Sequence, residues 1–113
     1  MAGTVEAIDL YREYVSRGDE AASLAPRLQI HGIVTKVGPD PYALPSIELA
    51  ESRDAHSRVL CVLPLQSYLK LRHVHRGDDV VVEGNPLVYA AGDLDYVVTK
   101  RCKILIINGK PQK

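Results

Sequence analysis

Arg76-Gly77-Asp78-Asp79-Val80-Val81-Val82-Glu83-Gly84-Asn85-Pro86 is the stretch whose reading decides the fold. A Gly-Asp turn feeds a β-branched run that closes on a second glycine and a proline. Val80 and Val82 alternate with Val81 and Glu83, the two-residue period of a strand with one buried face. Gly77 supplies a backbone conformation that other residues avoid, and Gly84 leaves room for close backbone approach. Just upstream, Pro64 can open a helix because its missing N–H is harmless in a first turn. Leu65, Tyr68, Leu69 and Arg72 follow it at helical spacing.

Working outward, the same period predicts strands on both sides. Residues 28–37 read as a first strand, with Leu28, Ile30 and Val34 inward and Gln29, His31 and Thr35 outward. Gly32 falls where a strongly bent strand needs no side chain. Ile47 and Leu49 alternate with Ser46, Glu48 and Ala50 in a second strand, and residues 58–63 make a third. The valine run is the fourth and residues 96–107 the fifth. In the fifth, Val97 and Thr99 share one parity while Cys102, Ile104 and Ile106 share the other. A bulge near Lys100-Arg101 explains that slip, as would burial on both faces.

Before the strands, Thr4 can cap a helix running to about Arg17, with Ala7, Ile8, Tyr11, Tyr14 and Val15 along one stripe. Gly18 stops it, and a second short turn opened by Asp19 ends at Pro26. The division is then residues 1–27 as a helical extension packed on the strands, 28–107 as the β domain, and 108–113 as a polar, frayed, flexible tail.

A mainly β chain of five strands, with a helix between the third and fourth, has the element order of a five-stranded OB-fold barrel with an N-terminal helix. Leu10-Tyr11 with Tyr14, Ile30-His31-Gly32-Ile33-Val34, Val59-Leu60-Cys61-Val62, Gly77 to Gly84 and Arg101-Cys102-Lys103-Ile104 together resemble the tRNA_anti-like family of bacterial OB-fold domains. The resemblance spans about residues 10 to 105. It implies an oligonucleotide-type fold, brings no well-established activity, and goes with members that are often exported or lipid-anchored.

Composition bounds the rest. A chain of 113 residues with 46% hydrophobic content is one folded domain. Lys+Arg 14 against Asp+Glu 14 gives no global pull toward a polyanion, so any such site is a local patch. With six Tyr and neither Phe nor Trp, the core falls to Leu, Ile and Val. Two cysteines without a C-x-x-C suggest buried thiols, a Cys61–Cys102 disulfide being an option only in an oxidising compartment. No leader pattern opens the chain and no apolar run approaches ~18 residues, which gives the expectation of a soluble, cytoplasmic protein without a membrane-spanning segment. An exported form would require a leader already removed.

For a site, OB barrels hold nucleic acid across their second and third strands and the adjoining loops, using aromatic platforms beside a cationic track. Here Ser46, Glu48 and Ala50 offer no aromatic ring. The candidates for binding single-stranded DNA or RNA are therefore the loop tyrosines Tyr42, Tyr89 and Tyr96 with Lys36, Arg53, Arg58, Lys100 and Arg101, and Lys103 nearby. Half-buried packing explains tyrosines equally well, and acidic neighbours such as Glu48 and Glu51 neutralise part of that charge. Leu60 and Val62, outward on the third strand, suggest instead an interface with another protein or with a second copy. His73-x-His75 lacks the further ligands a metal needs, and Arg76-Gly77-Asp78 reads as a turn. No nucleophile motif, phosphate loop or paired carboxylates stand out, so neither an enzyme nor a cofactor is expected.

Overall fold

The computed structural model describes residues 4–17, 27–39, 44–87 and 97–112. In chain order it contains β1 (Thr4–Glu6), α1 (Ala7–Arg17), β2 (Leu28–Pro39), β3 (Pro45–Ala50), β4 (Val59–Val62), a 3-10 helix (Leu65–His73), β5 (Asp79–Leu87), β6 (Val97–Ile107) and β7 (Lys110–Pro111).

Gly77 takes a φ of 95°, the left-handed region its missing Cβ permits. Its N–H donates to the Val34 carbonyl at 2.7 Å, which lays the valine run antiparallel to β2. β2 is long enough to serve two partners. Residues from Leu28 to Ile33 pair with β5, and those from Ile33 to Pro39 pair with β3. Thr35 is the extra residue at the β2–β3 register shift, where its hydroxyl donates to the Glu48 carbonyl at 3.1 Å. From β3 the path runs to β4, then β6, then β5, and the β2–β5 pairing closes the ring. Within it only β4 and β6 run parallel. A sealed five-stranded barrel results, as the element order predicts.

Its interior is filled by the inward parity of each strand. Ile30, Val34, Ile47, Leu49, Val59, Cys61, Val80, Val82 and Ile104 are all buried. α1 adds Ala7 and Leu10 to that cluster, with Tyr11 packed at its margin. Gly32 owes its identity to this docking more than to strand curvature: a Cβ there would lie 2.9 Å from Leu49 Cβ and 3.2 Å from Ala7 Cβ. The helix starts later than the capping argument predicts. Thr4 lies instead in β1, whose three residues pair parallel with β2 and leave only Ala7–Arg17 helical. The short turn expected between Asp19 and Pro26 lies outside the described residues.

β6 slips phase where its sequence does. Arg101 sits at φ 55°, and the register with β5 shifts between Glu83 and Asn85 and again between Val81 and Val82. The tail differs from the expectation. Asn108 and Gly109, at φ 49° and 81°, make a two-residue hairpin turn that returns β7 onto β6. Asn108 also fastens the Gly77 turn: Asp79 N–H donates to its Oδ1 at 2.9 Å, and its Nδ2 donates to Asp78 Oδ1 at 3.1 Å.

Candidate nucleic-acid interface

The outer positions of β3, β4 and β6 form one face. Register places Glu48 beside Leu60 and Leu60 beside Val98. Parity points these side chains away from the core, yet Leu60 is 6% exposed and Val98 8%, and Ser46 and Ala50 are buried as well. The apolar strip expected at Leu60 and Val62 is therefore covered at Leu60 and half-buried at Val62. Whatever function the barrel has, this face offers little bare apolar surface within the monomer.

The predicted cations do not share one surface. Arg58 precedes β4 beside α1, with its guanidinium 5.0 Å from the centre of the Tyr11 ring and 3.4 Å from the Glu51 carboxylate. Burial alone would raise Glu51, but its hydrogen bonds and the charges of Arg58 and Arg12 outweigh that and hold it below the usual carboxylate range. The Glu51 hydrogen bond in turn holds Arg58 above the ordinary guanidinium value. Arg53 lies on the turn between β3 and β4, packed over Gly77, with Asp54 shared between it and Arg76 at 3.8 and 3.2 Å. Lys36 faces Glu48 across β2 and β3 at 3.9 Å. Each of these charges is opposed by a carboxylate.

β6 is different. Lys100, Arg101 and Lys103 are all exposed within four residues, because the bulge turns two consecutive side chains outward before Cys102 returns to the core. Arg58 is four register positions from Lys100, roughly 13 Å along a strand, with Leu60 and Val98 between them. Glu83, the cross-strand neighbour of Lys103, is taken by Arg27 at 2.6 Å, and Arg27 also donates to Asn85 Oδ1 at 3.1 Å. Neither Arg101 nor Lys103 has an acidic partner among the described residues. Sequence reading missed Arg27, whose place beside β5 depends on barrel closure. Tyr42, Tyr89 and Tyr96 lie outside the described residues.

Two further clusters complete the electrostatics. His31 Nδ1 is 2.8 Å from both Glu6 oxygens and its Nε2 is 2.9 Å from both Asp79 oxygens. The hydrogen bond to Asp79, helped by Glu6 and both charges, outweighs burial and raises the imidazole above its ordinary value. Inside the barrel, Cys61 and Cys102 are free thiols, with Cys102 donating to the Thr99 carbonyl at 3.2 Å. Its hydrogen bond to Cys102 and its burial push Cys61 well up, so it stays protonated and unreactive. His73 and His75 are exposed, and among the described residues no three His, Cys, Asp or Glu side chains converge as metal ligands.

With this geometry in place, the chain can be compared with known proteins. No family model matches it, and no curated protein does. A solved lipoprotein of Klebsiella pneumoniae, to which nucleic-acid binding is ascribed, superposes with a TM-score of 0.72 over 93% of this chain and 92% of that one, at 9% identity. The barrel is an OB-fold. At that identity the likeness is one of fold. The mitochondrial single-stranded DNA binding protein Rim1 of S. cerevisiae overlaps more loosely, with a TM-score of 0.45 at 20% identity, over 74% of this chain and 97% of that one. The tRNA_anti-like resemblance rests on the residues quoted above alone. No helix among the described residues is long and apolar enough to cross a membrane.

Proposed function

We propose that this chain is a non-enzymatic OB-type module that binds single-stranded nucleic acid along the outer edge of β6. Lys100, Arg101 and Lys103 supply the phosphate contacts, and Tyr89 and Tyr96, from the segment joining β5 and β6, supply rings for base stacking. The observation that carries the reading is Arg101, an exposed arginine at φ 55°. Glycine is the physically favoured residue at such a bulge, and an L-side chain there costs roughly 1–2 kcal/mol. A long cation held in that conformation between Lys100 and Lys103 is strain of the sort that function maintains. Phosphate contact releases counterions, so a cluster of this size gives weak, salt-sensitive binding, as a sequence-independent module requires.

Fluorescence anisotropy against labelled oligo-dT and oligo-rU at low salt tests it. Saturable binding is expected to weaken as salt rises. Arg101→Gly, which removes the charge and relieves the backbone, should reduce the slope of log affinity against log salt by about 0.7. Absence of binding at protein concentrations on the order of tens of micromolar, where even non-specific complexes form, rejects the reading. So does a variant with unchanged affinity and slope.

A further inference from the structure

The barrel carries a second unusual surface, remote in chemistry from β6. Leu65, Tyr68 and Leu69 are 61%, 42% and 70% exposed and are the exposed large hydrophobics among the described residues. All three lie within five residues of the 3-10 helix, none of whose residues is fully buried. With three residues per turn, side chains at i and i+3 eclipse. Leu65, Tyr68 and Leu71 therefore form one ridge, whose last member packs against the core and orients the helix. Gln66, Leu69 and Arg72 form the next ridge, turned outward. Arg72 stands one turn beyond Leu69, roughly 6 Å along the axis.

Charge distinguishes this patch from an ordinary exposed leucine pair. From Leu65 to Gly77 the sequence contains Lys70, Arg72 and Arg76 together with His73 and His75, and no Asp or Glu. Arg76 is paired with Asp54 and His75 lies 3.8 Å from Asp78, so the positive charge beside the apolar tip is that of the helix itself, Lys70 and Arg72 with His73 next to them.

We propose that the 3-10 helix Leu65–His73 docks on an anionic lipid surface, with Leu65, Tyr68 and Leu69 entering the interface and Lys70, Arg72 and His73 at the depth of the headgroups. Nucleic acid would use the cations but has nothing to bury two of the most exposed aliphatic side chains against. An apolar groove on a protein would take the leucines but has no use for flanking cations on a helix without an acidic residue. An anionic membrane uses both, and a patch of this size gives reversible rather than permanent attachment.

The test is co-sedimentation of the full chain with vesicles of pure phosphatidylcholine, or of equal parts phosphatidylcholine and phosphatidylglycerol. Binding is expected only to the anionic vesicles, and raising the salt to about 1 M, where the Debye length falls to ~3 Å, should weaken it. Leu65→Ser and Leu69→Ser, on side chains already in solvent, should each weaken it roughly ten-fold. Arg72→Gln should reduce the salt dependence. Because the protein has no tryptophan, Leu69→Trp keeps the patch apolar and adds a probe whose emission should shift to the blue on anionic vesicles. No binding to anionic vesicles, or binding unchanged in both serine variants, overturns the proposal. It is also overturned if the serine variants instead abolish oligonucleotide binding or dissolve a dimer seen by sedimentation, since the patch then serves nucleic acid or a second copy.

Discussion

Adding one methyl group at Gly84 should damage the barrel more than most core truncations would suggest. Gly84 lies on β5 opposite the β6 bulge, between the Glu83–Lys103 and Asn85–Lys100 pairs. A Cβ built there falls 2.6 Å from Thr99 Cγ2, 2.8 Å from Cys102 Sγ and 3.1 Å from the Lys100 carbonyl oxygen. Optimal carbon contacts are about 3.5–4.0 Å, so roughly 1 Å must be recovered. Thr99 and Cys102 are 0% and 2% exposed and the third neighbour is backbone, so no flexible side-chain end can yield. Overpacking of this kind typically costs about 1–3 kcal/mol, and with three close neighbours the upper end applies. Replacing glycine restricts the unfolded chain and returns about 0.4–1 kcal/mol. The net loss for Gly84→Ala is then about 2 kcal/mol. For 113 residues, an unfolding entropy of about 2.1 cal/mol/K each gives roughly 0.24 kcal/mol/K. That lowers Tm by about 8 °C, read by circular dichroism, with a parallel fall in the urea midpoint at unchanged slope. Thr99→Ser removes the nearest carbon and should recover part of the loss in the Gly84→Ala background, although alone it leaves a small void. A Tm within about 1 °C of the parent, or a double variant no better than the single one, would refute the packing argument.

Thr99 Oγ1 is a buried hydroxyl with no hydrogen-bond partner among the described residues; Thr99→Val should therefore stabilise by about 1 kcal/mol in urea unfolding. Arg101→Gly should raise Tm or leave it unchanged, the relief of the left-handed backbone opposing the greater freedom of the unfolded chain. A clear fall in Tm would show that the arginine side chain is structural. His31, held above its usual value by Asp79 and Glu6, stabilises the fold at pH below the unfolded imidazole value of 6.5 and loses that contribution as pH rises through the raised folded value. With Glu6 and Asp79 about half exposed, the two pairs together contribute about 1 kcal/mol. The difference in urea midpoint between the parent and His31→Gln should accordingly be largest below pH 6.5 and shrink as pH rises through the raised folded value, and a pH-independent difference would contradict it.

Much of this architecture is written locally. The alternation around Val80 and Val82, the phase slip at Lys100-Arg101 and the glycine at position 77 each impose a geometry that any tertiary context must accept, and each stands where the residues predict. The Asn108-Gly109 turn was equally legible, since both residues tolerate positive φ, but the polarity of the tail concealed it. Less legible was everything that depends on which strands become neighbours. Thr4 looks like a helix cap in isolation, and only the exposed edge of β2 gives it a strand to join.

The site divides the same way. Residue type shows that Lys100, Arg101 and Arg58 are cations; it says nothing of their partners. Closure places Arg58 on Glu51 and Tyr11, gives Glu83 to Arg27, and leaves Arg101 and Lys103 outward without an acidic ion-pair partner among the described residues. Burial of Leu60 beside Val98 likewise follows from a parallel pairing of β4 with β6 that no local pattern encodes. The sequence by itself determined the strands, the turns and the side of each strand that is apolar, because steric and hydrophobic periodicity act over a few residues. Tertiary structure alone decided which charges are neutralised and which apolar side chains stay wet, because both depend on distances between segments far apart along the chain.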